Sequence, residues 1–102
     1  MAVIFGRFRP RATGYWAVQL RRGEVRAAVA GRYVCHERTA SDARLAASRL
    51  AKRHGLADFT LVQVSLPVHG WGGEELPELG AYREVTNLFM WSKILDARQT
   101  ED

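Results

Sequence analysis

The side chains with the most chemistry to offer are guanidinium groups. Arg7, Arg9 and Arg11 alternate along one stretch, and Arg21 follows Tyr15 and Gln19 at the same two-residue period. Alternation on a strand puts such residues on one face. Tyr15 and Trp16 are the aromatic neighbours that stack or pack beside that face. Arg26 and Arg32 sit in the next extended stretch, and register decides which of them joins. A strand ribbon lined with guanidiniums fits a nucleic-acid groove, where Arg binds guanine edges and phosphates bidentately. The competing reading is the polar outer face that any half-buried sheet needs. A second basic row, Arg44, Arg49, Lys52 and Arg53, falls on one side of a helical segment. It could track a phosphate backbone, or be an ordinary solvated helix face.

Other constellations point to partners more than to reactions. Trp71 sits between glycines, close to His69, Glu74, Glu75 and Glu78. That arrangement suits an aromatic anchor for a partner protein, or a Trp folded back over the edge of the core. Leu88-Phe89-Met90-Trp91 is too apolar for a free surface helix. It is core, or a dimer or partner interface through residues 85–95 in which Trp91 is an anchor. Cys35, His36, His54 and His69 have no metal-ligand spacing, with no Cys-x-x-Cys and no His-x-x-x-His. The three loop glutamates lack the defined pocket that acid–base pairs need. The expectation is a protein that is not an enzyme and takes no cofactor or metal.

Charge distribution sharpens the first reading. The chain has 102 residues, a net charge of +4 and a pI near 9.8. Residues 1–58 carry 12 basic side chains against four acids, a net +8; residues 59–102 carry three against seven, a net −4. Such asymmetry implies a binding face, or halves that neutralise each other. A basic domain of this pI is a candidate for nucleic acid. Arg and Ala dominate over Lys, which also fits a high-GC bacterial or phage genome. The apolar fraction of 47% is that of a globular chain. No run of about 18 apolar residues is present, so no membrane span is expected. The start of the chain lacks signal-peptide patterning, and a single cysteine fits a reducing, cytoplasmic location.

The elements that must position these residues read as one domain, residues 1–102. Residues 2–9 are β-rich and end at Pro10, with turn residues from Pro10 to Gly14. Tyr15 to Arg22 alternates strictly: Trp16, Val18 and Leu20 point one way, Tyr15, Gln19 and Arg21 the other. A short connection at Arg22-Gly23-Glu24 leads to a strand over Val25 to Val34, in which Gly31 marks a bulge or a close approach. Thr39 caps a helix that ends at Gly55, with Ala43, Ala46, Ala47, Leu50, Ala51 and His54 on one stripe. Asp58 to Leu66 is a further strand. Residues 67–80, with two Pro and four Gly, form a loop or lid. The spacing over 81–97 suits a helix, although residues 85–91 also suit a strand. The order is β-β-β-α-β-α, an antiparallel meander backed by a helix in a two-layer α+β sandwich.

Residues 6–54 resemble the small DNA-binding domains of plant ethylene-response factors and of phage integrase N-termini. The resemblance is carried by Gly6, Arg7, Arg9, Arg11, Gly14, Trp16, Ala17, Gly31-Arg32-Tyr33 and the run Ala43, Ala46, Ala47. It implies a three-stranded sheet laid in the major groove and supported by one helix. The element order is also similar to the incomplete ribonuclease H-like folds of some antitoxins. A ribonuclease H site would need carboxylates on the first strand, and residues 2–9 contain none. The expected function is therefore non-enzymatic nucleic-acid binding through Arg7, Arg9, Arg11, Tyr15, Arg21, Arg26, Arg32, Arg49 and Arg53. The alternative is a small phage or bacterial interaction protein, such as an anti-CRISPR inhibitor, an antitoxin or an adaptor. It would dock on a host protein or nucleoprotein complex through Trp71, Glu74, Glu75 and Trp91.

Overall fold

The computed structural model describes residues 11–22, 29–67 and 75–97. The expected strand at 2–9 and the tip of the expected hairpin lie outside these residues. Within them the order is β1 (Arg11–Arg21), β2 (Val29–His36), α1 (Ala40–Arg53), β3 (Asp58–Pro67), β4 (Tyr82–Glu84) and α2 (Leu88–Asp96). The fold is α+β: one four-stranded antiparallel sheet, with α1 laid against it as the second layer.

Spatial order in the sheet is β3-β1-β2-β4. β1 pairs antiparallel with both β2 and β3, so those two run parallel to each other on either side of it. α1 makes the connection between them. Its start is fixed by Thr39, whose Oγ1 accepts a hydrogen bond from the Asp42 backbone N–H at 3.1 Å. The small side chains of Ala43, Ala47 and Ala51, with Leu50, face inward and let the helix lie close to the strands. Gly55, at a φ of +72°, ends it in the left-handed region that favours glycine.

The period of two divides β1 between two cores. Val18 and Leu20 point toward α1 with Tyr33, Cys35, Ala47, Leu50 and Ala51. Tyr15 and Ala17 point the other way, toward Val34, Val64, Leu66, Val85, Trp91 and Ile94. α2 therefore covers part of the sheet face opposite α1.

The main differences from the sequence reading are these. The residues expected as a turn at Pro10 to Gly14 belong to β1 from Arg11 on, with a bulge against β3 between Ala12 and Tyr15. Gly14 makes this workable, at a φ of +85° and in a place where any Cβ would lie 3.2 Å from Glu37 O and 3.3 Å from the His36 ring. β2 extends to His36, two residues beyond the expected end. The helix expected over 81–97 is instead the short strand β4 followed by α2. Tyr82, Arg83 and Glu84 pair with Cys35, Val34 and Tyr33, and Asn87 Oδ1 caps the new helix by accepting from Met90 N–H at 3.0 Å.

Candidate nucleic-acid interface

Register decides which arginines share a face. Gln19 stands directly opposite Arg32 across β1 and β2, and Val34 stands opposite Arg83 across β2 and β4. Residues paired in this way point to the same side of the sheet. Gln19, Arg21, Arg32 and Arg83 therefore lie on the face that also carries Tyr15, Ala17 and Val34. Thr60, opposite Gln19 on β3, joins them. Trp91 and Ile94 of α2 pack on the Tyr15 end of this face. Beyond it the face holds Arg32 and Arg21, while Arg83 on β4 is level with Val34 and Ala17. Asp58 stands opposite Arg21 and supplies a carboxylate there.

The side chains of Arg32 and Arg83 are half-buried, and the Nε of each is buried with no hydrogen-bond partner among the described residues. A buried cationic N–H without an acceptor is costly, and an oxyanion is the acceptor that suits it best.

Several expected site residues fall elsewhere. Arg7, Arg9, Arg26, Trp71 and Glu74 lie outside the described residues, and Arg11 is described by its backbone alone, opposite Pro67. Tyr15 and Trp16 are buried, at 6% and 8% exposure, which removes them from a ligand-facing surface. The Tyr15 ring stacks on His36 with centroids 4.2 Å apart, and its hydroxyl donates to Pro77 O at 3.2 Å. Trp16 donates its indole N–H to Glu37 O at 3.0 Å. Trp91, expected as a partner anchor, is 5% exposed because it fills the core between α2 and the sheet. Leu88 and Phe89 are the exposed apolar residues of that segment. Glu75 is exposed beside a cleft that Glu78 and Arg83 also line.

Arg49 and Arg53 are exposed on α1, which covers the opposite face of the sheet from Arg21 and Arg32. The sheet row and the helix row are thus two separate basic surfaces. Arg83 was not among the expected residues. Reading 81–97 as helix hid its position, since strand pairing with Val34 places it on the face of Arg32 and helical parity does not.

Two histidines have structural partners. His36 contacts Pro77 O through Nδ1 at 3.1 Å, and His54 Nε2 meets the Tyr33 hydroxyl at 3.0 Å. Cys35 is 1% exposed; burial, helped by the Glu37 charge, pushes its thiol up to about 12. A thiol held neutral in this way is a poor nucleophile and a poor metal ligand. Among the described residues no group of three His, Cys, Asp or Glu side chains could hold a metal ion, and no helix is long and apolar enough to cross a membrane.

Compared with known protein families, with curated proteins and with solved structures, the chain has no match.

Proposed function

We propose that the protein binds nucleic acid through the basic face of its sheet, without catalysing a reaction on it. The observation that carries this reading is the shared face of Arg21, Arg32 and Arg83, with two buried, unpartnered Nε donors. Gln19 and Thr60 add neutral hydrogen-bonding groups on the same face. Phosphate oxygens are the acceptors that guanidinium forks match best. The basic half of the chain, net +8 over residues 1–58, adds a longer-range attraction.

The test is fluorescence anisotropy with generic labelled DNA and RNA at about 50 and 200 mM salt, a range over which several phosphate contacts change affinity by orders of magnitude. Binding that collapses with salt and weakens in Arg32→Ala and Arg83→Ala supports the reading. No binding at the lower salt ends it.

A second reading rests on a different observation. Leu88 and Phe89 are 61% and 65% exposed side by side at the start of α2. Such a pair suits a protein partner of the inhibitor or adaptor kind. That contact would depend weakly on salt, which separates the two readings.

A further inference from the structure

We infer that the cleft between α1 and β4 holds one unpaired base, so that the ligand strand is single-stranded. This rests on the nucleic-acid reading and names the ligand class. The cleft measures about 200 Å³ and is lined by Glu37, Ala46, Arg49, Leu50, Arg53, Gly80 and Tyr82. That is below the usual 300–1,000 Å³ of sites for whole small molecules, and right in scale for a single base.

The Tyr82 ring is the platform. It is 42% exposed, yet held by two neighbours. Tyr33 meets it edge to face at 5.6 Å, and Arg53 Nη1 donates to its hydroxyl. The Arg53 guanidinium carbon is 5.9 Å from its centroid. An exposed ring held by its hydroxyl and by a neighbouring ring is pre-organised for stacking, which costs little ordering entropy on binding. Leu50, buried, and Ala46, half-buried, are the apolar part of its lining. Arg49 and Arg53, one turn apart on α1, stand where the flanking phosphates of a stacked nucleotide lie. Glu37 is the carboxylate in this set. It accepts from an exocyclic base amino group and keeps phosphate off that side.

A duplex cannot use such a cleft. Its bases present edges in grooves, and their faces are covered by their neighbours. An unpaired strand offers a free face to Tyr82 and phosphates to the arginines.

Binding of a labelled single strand and of its duplex is compared for the intact protein, Tyr82→Ala, Tyr82→Phe and Arg49→Ala, with the fold of each variant checked by circular dichroism. The expected result is that Tyr82→Ala weakens single-strand binding at least about fivefold, the lower range of one base–aromatic stack. Tyr82→Phe keeps the ring and retains binding, Arg49→Ala weakens it, and duplex affinity changes in none of them. Should Tyr82→Ala unfold, the contrast between Arg49→Ala on single strand and on duplex decides, because Arg49 is exposed on the helix. Single-strand binding unaffected by Arg49→Ala and Tyr82→Ala, or duplex binding weakened equally, overturns the inference and leaves the sheet-face reading intact. No binding of either strand at low salt overturns the nucleic-acid reading itself.

Discussion

Gln19 and Arg32 face each other across β1 and β2, and that one pairing sorts the charge of the whole sheet. Because Arg32 takes the side of Gln19, Tyr33 and Cys35 take the side of α1 and enter its core. A register slip of one residue would bury Arg32 under the helix and expose Tyr33. The basic face is thus a consequence of apolar packing on the other side. Arg83 is drawn into it by the same logic, through its pairing with Val34 on the short edge strand.

If this face meets phosphates, each arginine should contribute a measurable counterion. Arg32→Ala and Arg83→Ala should each lower the slope of log affinity against log salt by roughly one. Thr60→Ala, on the same face but uncharged, should leave the slope unchanged. Salt titrations of anisotropy provide the check, and slopes that stay constant across all three variants would count against phosphate contact.

The two aromatic residues of α2 predict opposite outcomes. Trp91→Ala removes a buried ring from the core formed with Tyr15, Val34 and Ile94. It should cost about 3–5 kcal/mol, a large share of the stability of so small a domain. Phe89→Ala alters a side chain that is 65% exposed, with Lys93 Nζ 4.9 Å from its ring centroid, and should change stability by no more than about 0.5 kcal/mol. Urea unfolding of the two variants makes the comparison.

That contrast also shows where the sequence was readable. The alternation of β1 is clear because Trp16, Val18 and Leu20 are all large and apolar while Gln19 and Arg21 are polar. α1 is legible from its cap, its alanine stripe and its glycine stop, and the α+β class follows from these elements. The strand β4 is not legible, since its three residues, Tyr82, Arg83 and Glu84, carry no period. It forms because the far edge of β2 leaves Tyr33, Val34 and Cys35 to be paired. The burial of Tyr15 is hidden for a related reason. Its parity matches the arginines, but the cover comes from Pro77 and α2, which are distant in sequence. The base cleft is likewise assembled from α1 and β4, whose residues are ordinary until tertiary packing joins them.

Gly14 and Gly55 test how much of a glycine requirement is backbone and how much is space. Both have positive φ, at +85° and +72°. An alanine at Gly55 meets nothing within 4 Å, so Gly55→Ala should cost about 1–2 kcal/mol, the left-handed penalty alone. Gly14→Ala adds a Cβ at 3.2 Å from Glu37 O, within the bulge that also holds the Glu37 N–H on Gly14 O at 2.8 Å. It should cost clearly more. Equal midpoints in thermal unfolding would mean that the bulge yields without strain.

Cys35 ties the same packing to alkaline pH. Its thiol titrates near 9.0 when solvated, and desolvation followed by the Glu37 charge raises it to about 12 in the fold. The folded state therefore holds the proton over a range where the unfolded chain releases it. Stability is unaffected below about pH 9 and falls as pH rises from there toward about 12. Tyr15 and Tyr33, both raised by burial, act in the same direction at higher pH. Cys35→Ala isolates the cysteine, because every other group is common to both proteins. The variant begins less stable through the lost Sγ packing, but the difference should shrink by roughly 1 kcal/mol between pH 9 and 10. Urea midpoints at pH 7, 9 and 10 give the comparison. A constant difference at all three would show that the thiol is solvated in the folded protein, and that β2 does not pack against α1 at this position.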